Sequence, residues 1–145
     1  MNEIWNHRFI ELAEHVAQWS KDPSTKVGAV ITNNRKQVLS LGYNGFPRGI
    51  DDDATRYEDR DTKLMLVSHA ERNALDNAPF DLRGATLYST LFPCTECAKG
   101  IIQRGISIIV TRDWNKSTSA RATNSFRFDI SEMMFSEAGV MVVKL

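Results

Sequence analysis

Residues 86–111, TLYSTLFPCTECAKGIIQRGISIIVT, read as strand, helix, strand. Thr86 to Leu91 is an apolar strand candidate, and Pro93 stands ahead of a helix running from about Cys94 to Arg104, with Gly105 placed to cap its end. Ile106 to Thr111 is nearly all apolar and β-branched, as a strand buried on both faces must be. The same alternation continues outward. Upstream, Ile4 to Ser20 carries Phe9, Leu12, Ala13, Val16 and Ala17 at helical spacing, and Lys21-Asp22-Pro23-Ser24 breaks that helix. Val27 to Ile31 and Gln37 to Tyr43 form a hairpin closed by Asn33-Asn34-Arg35-Lys36. Asn44 to Asp61 reads as a long loop, and Leu64 to Asn77 as helical with a start near Ser68. Downstream, Arg112 to Arg127 is rich in Ser, Thr and Asn. Ile130 to Ala138 reads as a helix capped by Gly139, and Val140 to Val143 as a last strand. The order α-β-β-α-β-α-β-α-β predicts an α/β fold: a mixed sheet of about five strands with helices on both faces, as one domain over residues 1–145.

Composition narrows the partners. Eighteen basic residues balance eighteen acidic ones in 145, so no global field draws the chain to nucleic acid. No apolar run approaches the ~20 residues that span a bilayer, so no membrane partner is expected. Met1 to His7 lacks the basic start and apolar core of a signal peptide, which makes the cytoplasm the expected compartment. In that reducing setting the only two cysteines, Cys94 and Cys97, ask for a chemical explanation.

At i and i+3 in a first helical turn, both sulfurs reach one ion. Two cysteines do not complete a zinc site. His7 and His15 lie far off on the opening helix, which leaves His69 as the third ligand. A Cys2His set keeps the fourth tetrahedral position for water, the arrangement of a catalytic zinc. Glu71 is the candidate to move that water's proton. Positions i and i+2 point about 200° apart in a helix interior, but at a first turn both can border one pocket. His69-x-Glu71 followed by Pro93-Cys94-x-x-Cys97 matches the signature of zinc deaminases, in which the glutamate is general acid/base and not a ligand. Plainer readings stand beside this one. Ser68-His69-Ala70-Glu71 is also a capping box, and Cys-x-x-Cys is also a thiol–disulfide redox pair.

The sequence resembles the deoxycytidylate (dCMP) deaminases of the cytidine deaminase superfamily from about Ser20 to Gly139. The resemblance rests on Ser20-Lys21-Asp22-Pro23-Ser24-Thr25-Lys26-Val27-Gly28, Gly42-Tyr43-Asn44-Gly45-Phe46-Pro47, His69-Ala70-Glu71-Arg72-Asn73 and Leu91-Phe92-Pro93-Cys94-Thr95-Glu96-Cys97. It implies a three-layer α/β/α sandwich and one catalytic Zn2+ per chain on His69, Cys94 and Cys97. It implies a proton shuttle at Glu71 and hydrolysis of dCMP to dUMP, a precursor for thymidylate synthesis. Asn44, Lys26 and Ala70 are its implied substrate contacts. Asn44 also has the features of a turn residue, a role that can coexist with substrate contact, and Lys26 reads more simply as a solvated surface charge. Gly42, Tyr43, Gly45 and Asn73 resemble the part that binds a regulatory nucleotide, with dCTP activating and dTTP inhibiting, and Mg2+ accompanying the triphosphate. A homohexamer or trimer follows from the same resemblance. The sequence departs from it between Asp113 and Phe128, where the basic residues Lys116, Arg121 and Arg127 follow Arg112 as phosphate candidates. Substrates such as dCTP or a 5-modified dCMP therefore stay open.

Overall fold

Strands β1 (Gly28–Thr32) and β2 (Val38–Tyr43) form the expected antiparallel hairpin, and β1 pairs antiparallel along its other edge with β3 (Thr86–Ser89). Strands β4 (Ile108–Thr111) and β5 (Met141–Lys144) then add in parallel, giving a mixed five-stranded sheet in the order β2-β1-β3-β4-β5. This computed structural model describes residues 3–113 and 126–145. The centre of the basic segment, with Lys116 and Arg121, lies outside the described residues.

Successive side chains of a strand point to opposite faces, and the core divides accordingly. Val30, Tyr88 and Val110 pack on one face with Phe9, Ile10 and Ala13 of α1 (Glu3–Ala17). Ala29, Ile31, Leu87 and Ile109 pack on the other face. There they meet Ala70 and Ala74 of α4 (Ala70–Asn77), Ala98 and Ile101 of α5 (Thr95–Gln103) and Phe128 and Phe135 of α6 (Phe128–Ala138). These are the three layers of an α/β/α sandwich. None of the helices among the described residues is long and apolar enough to cross a membrane.

The placement of α4 is set by close backbone contact. A Cβ on Gly42 would meet the Ala70 carbonyl and the Ala74 backbone, so only glycine lets α4 lie directly on β2. Ser40 Oγ donates to the Ala74 carbonyl (2.6 Å), and the Arg104 guanidinium donates to the Leu75 carbonyl (2.8 Å) near the end of the helix. Gly105 takes φ 80° just past α5, as its position predicts.

Two expectations need correction. The stretch from Asn44 to Asp61 is not one loop: α2 (Ala54–Glu58) and the start of α3 (Arg60–Leu66) lie within it. Asp53 caps α2, Asp59 caps α3, and Tyr57 stacks on Phe46 with ring centroids 4.1 Å apart. Nor is Leu64 to Asn77 one helix. The chain is extended at Val67, and Ser68 forms an antiparallel bridge with Gly45, which ends α3 and resets the direction before α4.

Candidate active site

His69 and Cys94 occupy equivalent places in the fold. Each is the N-cap of its helix, with φ/ψ of −71°/157° at His69 and −70°/172° at Cys94, and the His69 side chain makes no bond back to its own helix. Both turn toward one point instead. Cys94 Sγ and Cys97 Sγ each lie 3.4 Å from His69 Nδ1, and the three donor atoms fall within 4.8 Å of one another. Zinc with Zn–S of about 2.3 Å and Zn–N of about 2.0–2.1 Å in tetrahedral geometry sets nitrogen and sulfur roughly 3.5 Å apart. The donor set therefore fits zinc in both chemistry and spacing.

Sharing of protons shapes the trio. The hydrogen bond with Cys97 is the largest cause that draws the Cys94 thiol down to about 4, against the effect of burial, and the bond with His69 acts in the same sense. The same contact pushes Cys97 up, helped by its burial, and the bond with Cys94 raises His69.

Glu71 lies on the sheet-facing side of α4 and is 4% exposed. It does not close a capping box, because the helix begins one residue later than that reading requires. With His69 as the cap, Glu71 stands at the second helical position, and its Oε1 accepts a hydrogen bond from Ser89 Oγ at 2.7 Å. Burial is the largest influence on its carboxyl and raises it above the usual carboxylate range.

The other expected residues divide between two places. Asn44 is buried, its Oδ1 accepting from the Val27 amide (2.8 Å) and its Nδ2 donating to the Thr25 carbonyl (2.9 Å). It holds the segment that carries the exposed Lys26. Ala70 is fully buried beside Glu71 in the chain. Tyr43, Gly45 and Asn73 line a cavity of about 730 Å³ on the outer side of α4, together with Arg48, Arg72 and Met65, and His69 and Cys97 also border it. Gly42 lies beneath α4 and does not line that cavity. Of the basic residues, Arg112 pairs with Glu14 at 2.5 Å and Arg127 with Asp129 at 3.2 Å.

Three contributors went unread in the sequence. Ser89 is one, and its signal was a small hydroxyl two positions from Leu87, on the same face of β3. The others are Asp22 and Lys63, a buried ion pair (3.3 Å) that ties the segment before β1 to α3. Ser24 and Thr25 amides also bond to the Asp22 carboxylate. Burial alone would raise that carboxyl, but those amides, the Ser24 hydroxyl and Lys63 together hold it below the usual range.

The family described as the cytidine and deoxycytidylate deaminase zinc-binding region matches residues 3–112. The chain belongs to this family. Among its relatives is an uncharacterized deaminase from the luxG 3' region of Aliivibrio fischeri, 43% identical over 141 residues that cover 97% of this chain and 93% of that one. The human deoxycytidylate deaminase is 39% identical over 142 residues, covering 94% and 76%. The dCMP deaminase of cyanophage S-TIM5, solved in complex with dCMP and dUMP, superposes with a TM-score of 0.74 at 25% identity, covering 100% of this chain and 99% of that one. The expected cytidine deaminase-like fold is therefore the one observed.

Proposed function

We propose that this protein is a zinc-dependent deaminase that converts dCMP and water to dUMP and ammonia. The observation that carries the reading is the convergence of both cysteine sulfurs on His69 Nδ1, two residues from a buried glutamate. Membership of the deaminase family supports it, as does the likeness to a phage enzyme solved with dCMP and dUMP. His69, Cys94 and Cys97 are the residues that would hold the ion. An ion held by these residues would lower the pKa of a water from 15.7 to about 7 and so supply a nucleophile at neutral pH for the amino-bearing ring carbon. Glu71 takes the proton that this water loses and gives it to the adjacent ring nitrogen. The same carboxyl then takes the remaining proton of the added hydroxyl, as the ring carbonyl forms, and carries it to the departing amino group, which leaves as ammonia. Asn44 serves the substrate by fixing residues 20–27, Lys26 supplies a cation for the phosphate, and Ala70 borders the base.

A regulatory nucleotide, dCTP or dTTP with Mg2+, is assigned to the cavity on the outer side of α4, which Tyr43, Gly45 and Asn73 line and where Arg48 and Arg72 offer cations. The working form is a cytoplasmic homohexamer or trimer.

One assay tests the reading: ammonia release from dCMP, dCTP, a 5-modified dCMP, deoxycytidine and single-stranded DNA, with and without added dCTP or dTTP, on protein analysed for zinc. One zinc per chain and preference for dCMP are expected. Metal-free protein whose cysteines cycle reversibly to a disulfide would instead establish the thiol–disulfide alternative. Glu71→Gln is expected to keep zinc and lose about 10²–10⁴ in kcat. Unchanged turnover in that variant removes the proton-shuttle role.

A further inference from the structure

Ser89 is the last residue of β3 and is fully buried. Its side chain shares a face with Leu87 and so points toward α4. A hydroxyl at that depth is unfavourable unless it is bonded. Here it has two partners, Glu71 Oε1 and the Leu91 carbonyl oxygen, each at 2.7 Å, the usual length for an O–H···O bond.

We propose that Ser89 is a positioning residue for Glu71, its hydroxyl fixing one carboxylate oxygen so that the other faces the reacting base. The inference rests on the function proposed above. Glu71 reaches into the site through several rotatable bonds, and Ser89 bonds its carboxyl from the sheet side, across the layer between helix and sheet, while Cys97 meets it from α5. Serine has one proton to give and lone pairs to receive another. The Leu91 carbonyl only accepts, so the hydroxyl can turn its proton there and accept from Glu71 without moving its oxygen. Oε1 thus keeps the same neighbour whether the carboxyl gives or receives a proton. Placement of this kind matters because small displacements of a reacting group slow chemistry by one to two orders of magnitude.

The test compares Ser89→Ala and Ser89→Thr with the parent holoenzyme. Four quantities are read: kcat, KM for dCMP, zinc per chain and melting temperature. Ser89→Ala is expected to lower kcat by about ten- to a hundredfold, with KM, zinc content and melting temperature close to the parent's. Ser89→Thr, which keeps the hydroxyl, is expected to restore kcat to within about threefold. Two outcomes overturn the proposal: a Ser89→Ala variant with kcat within twofold of the parent, or one that loses zinc in step with activity. In the second case the hydroxyl serves the Leu91 turn that delivers Cys94, and not Glu71. Parent turnover that Glu71→Gln abolishes secures the underlying function, so either result then counts against Ser89 alone. A parent that deaminates nothing overturns both.

Discussion

Four of the helix starts among the described residues, those of α2 to α5, divide into two kinds. At α2 and α3 the cap is an aspartate that does what caps usually do: Asp53 accepts from the Thr55 amide at 2.8 Å and Asp59 from the Thr62 amide at 3.4 Å. At α4 and α5 the same position holds His69 and Cys94, whose side chains converge with that of Cys97. An imidazole whose free nitrogen is turned to a shared ion is not available to an orphaned amide of its own helix. A cap bond is given up at α4, where ligand geometry is needed, while α2 and α3 are capped by their aspartates.

The largest effect that would break this comparison comes from putting a proper cap where a ligand stands. Asparagine is among the best N-cap residues. His69→Asn is expected to abolish zinc binding and dCMP turnover. Measured in chelator, its melting temperature should be no lower than that of the equally stripped parent; a clear drop would mean that His69 already stabilises α4 by itself. Next in size are changes to what holds those helix starts in place. Gly42→Ala inserts a methyl between β2 and α4 and is expected to destabilise by about 1–3 kcal/mol in denaturant melts, with weaker zinc retention because His69 moves with its helix. Gly45→Ala, which meets nothing closer than the Tyr57 hydroxyl at 3.7 Å, is the matched control and should change little.

Asp22 uses the capping chemistry of Asp53 in a segment that is not helical, and its effect depends on pH. Its carboxyl is held below the ordinary value of 3.8, so the folded state favours the ionised form. The resulting stability is fully present above 3.8 and is lost as pH falls through the lower, folded value. The gap in unfolding free energy between the parent and Asp22→Asn should therefore be widest near neutrality, where it is about 1–3 kcal/mol, and should close in acid. A gap that widened in acid would reverse the assigned sign. The smallest effect is expected at the ordinary caps. Asp59→Ala should cost about 0.5 kcal/mol, the low end for a cap because its bond is long. Zinc content and kcat should stay unchanged.

The metal trio was legible because its spacing is local: Cys-x-x-Cys fixes two ligands within one turn, and only one histidine stood at another helix start. The strands showed for a similar reason, since short apolar runs such as Ile109 and Val110 leave little choice between faces. The helices α2 and α3 were hidden. They are five and seven residues long, too short to show a period, and depend on distant partners: the Phe46 ring under Tyr57, and Asp22 beside Lys63. The capping box misled by one position, because Ser68 is held extended by Gly45 through a bridge that no local pattern announces. Ser89 and Glu71 are eighteen residues apart, and nothing short of the packed sheet brings them together.

The side chain of Asn44, with Asp22 and Lys63 behind it, has a consequence for residues 20–27, which belong to no helix or strand before Gly28. The amides of Ser24, Thr25 and Val27 should exchange with deuterium slowly, because each bonds to a buried side-chain oxygen. A protease should pass over this stretch until the sheet itself opens. By sequence it is a loop, but in thermodynamic terms it belongs to the same cooperative unit as the core.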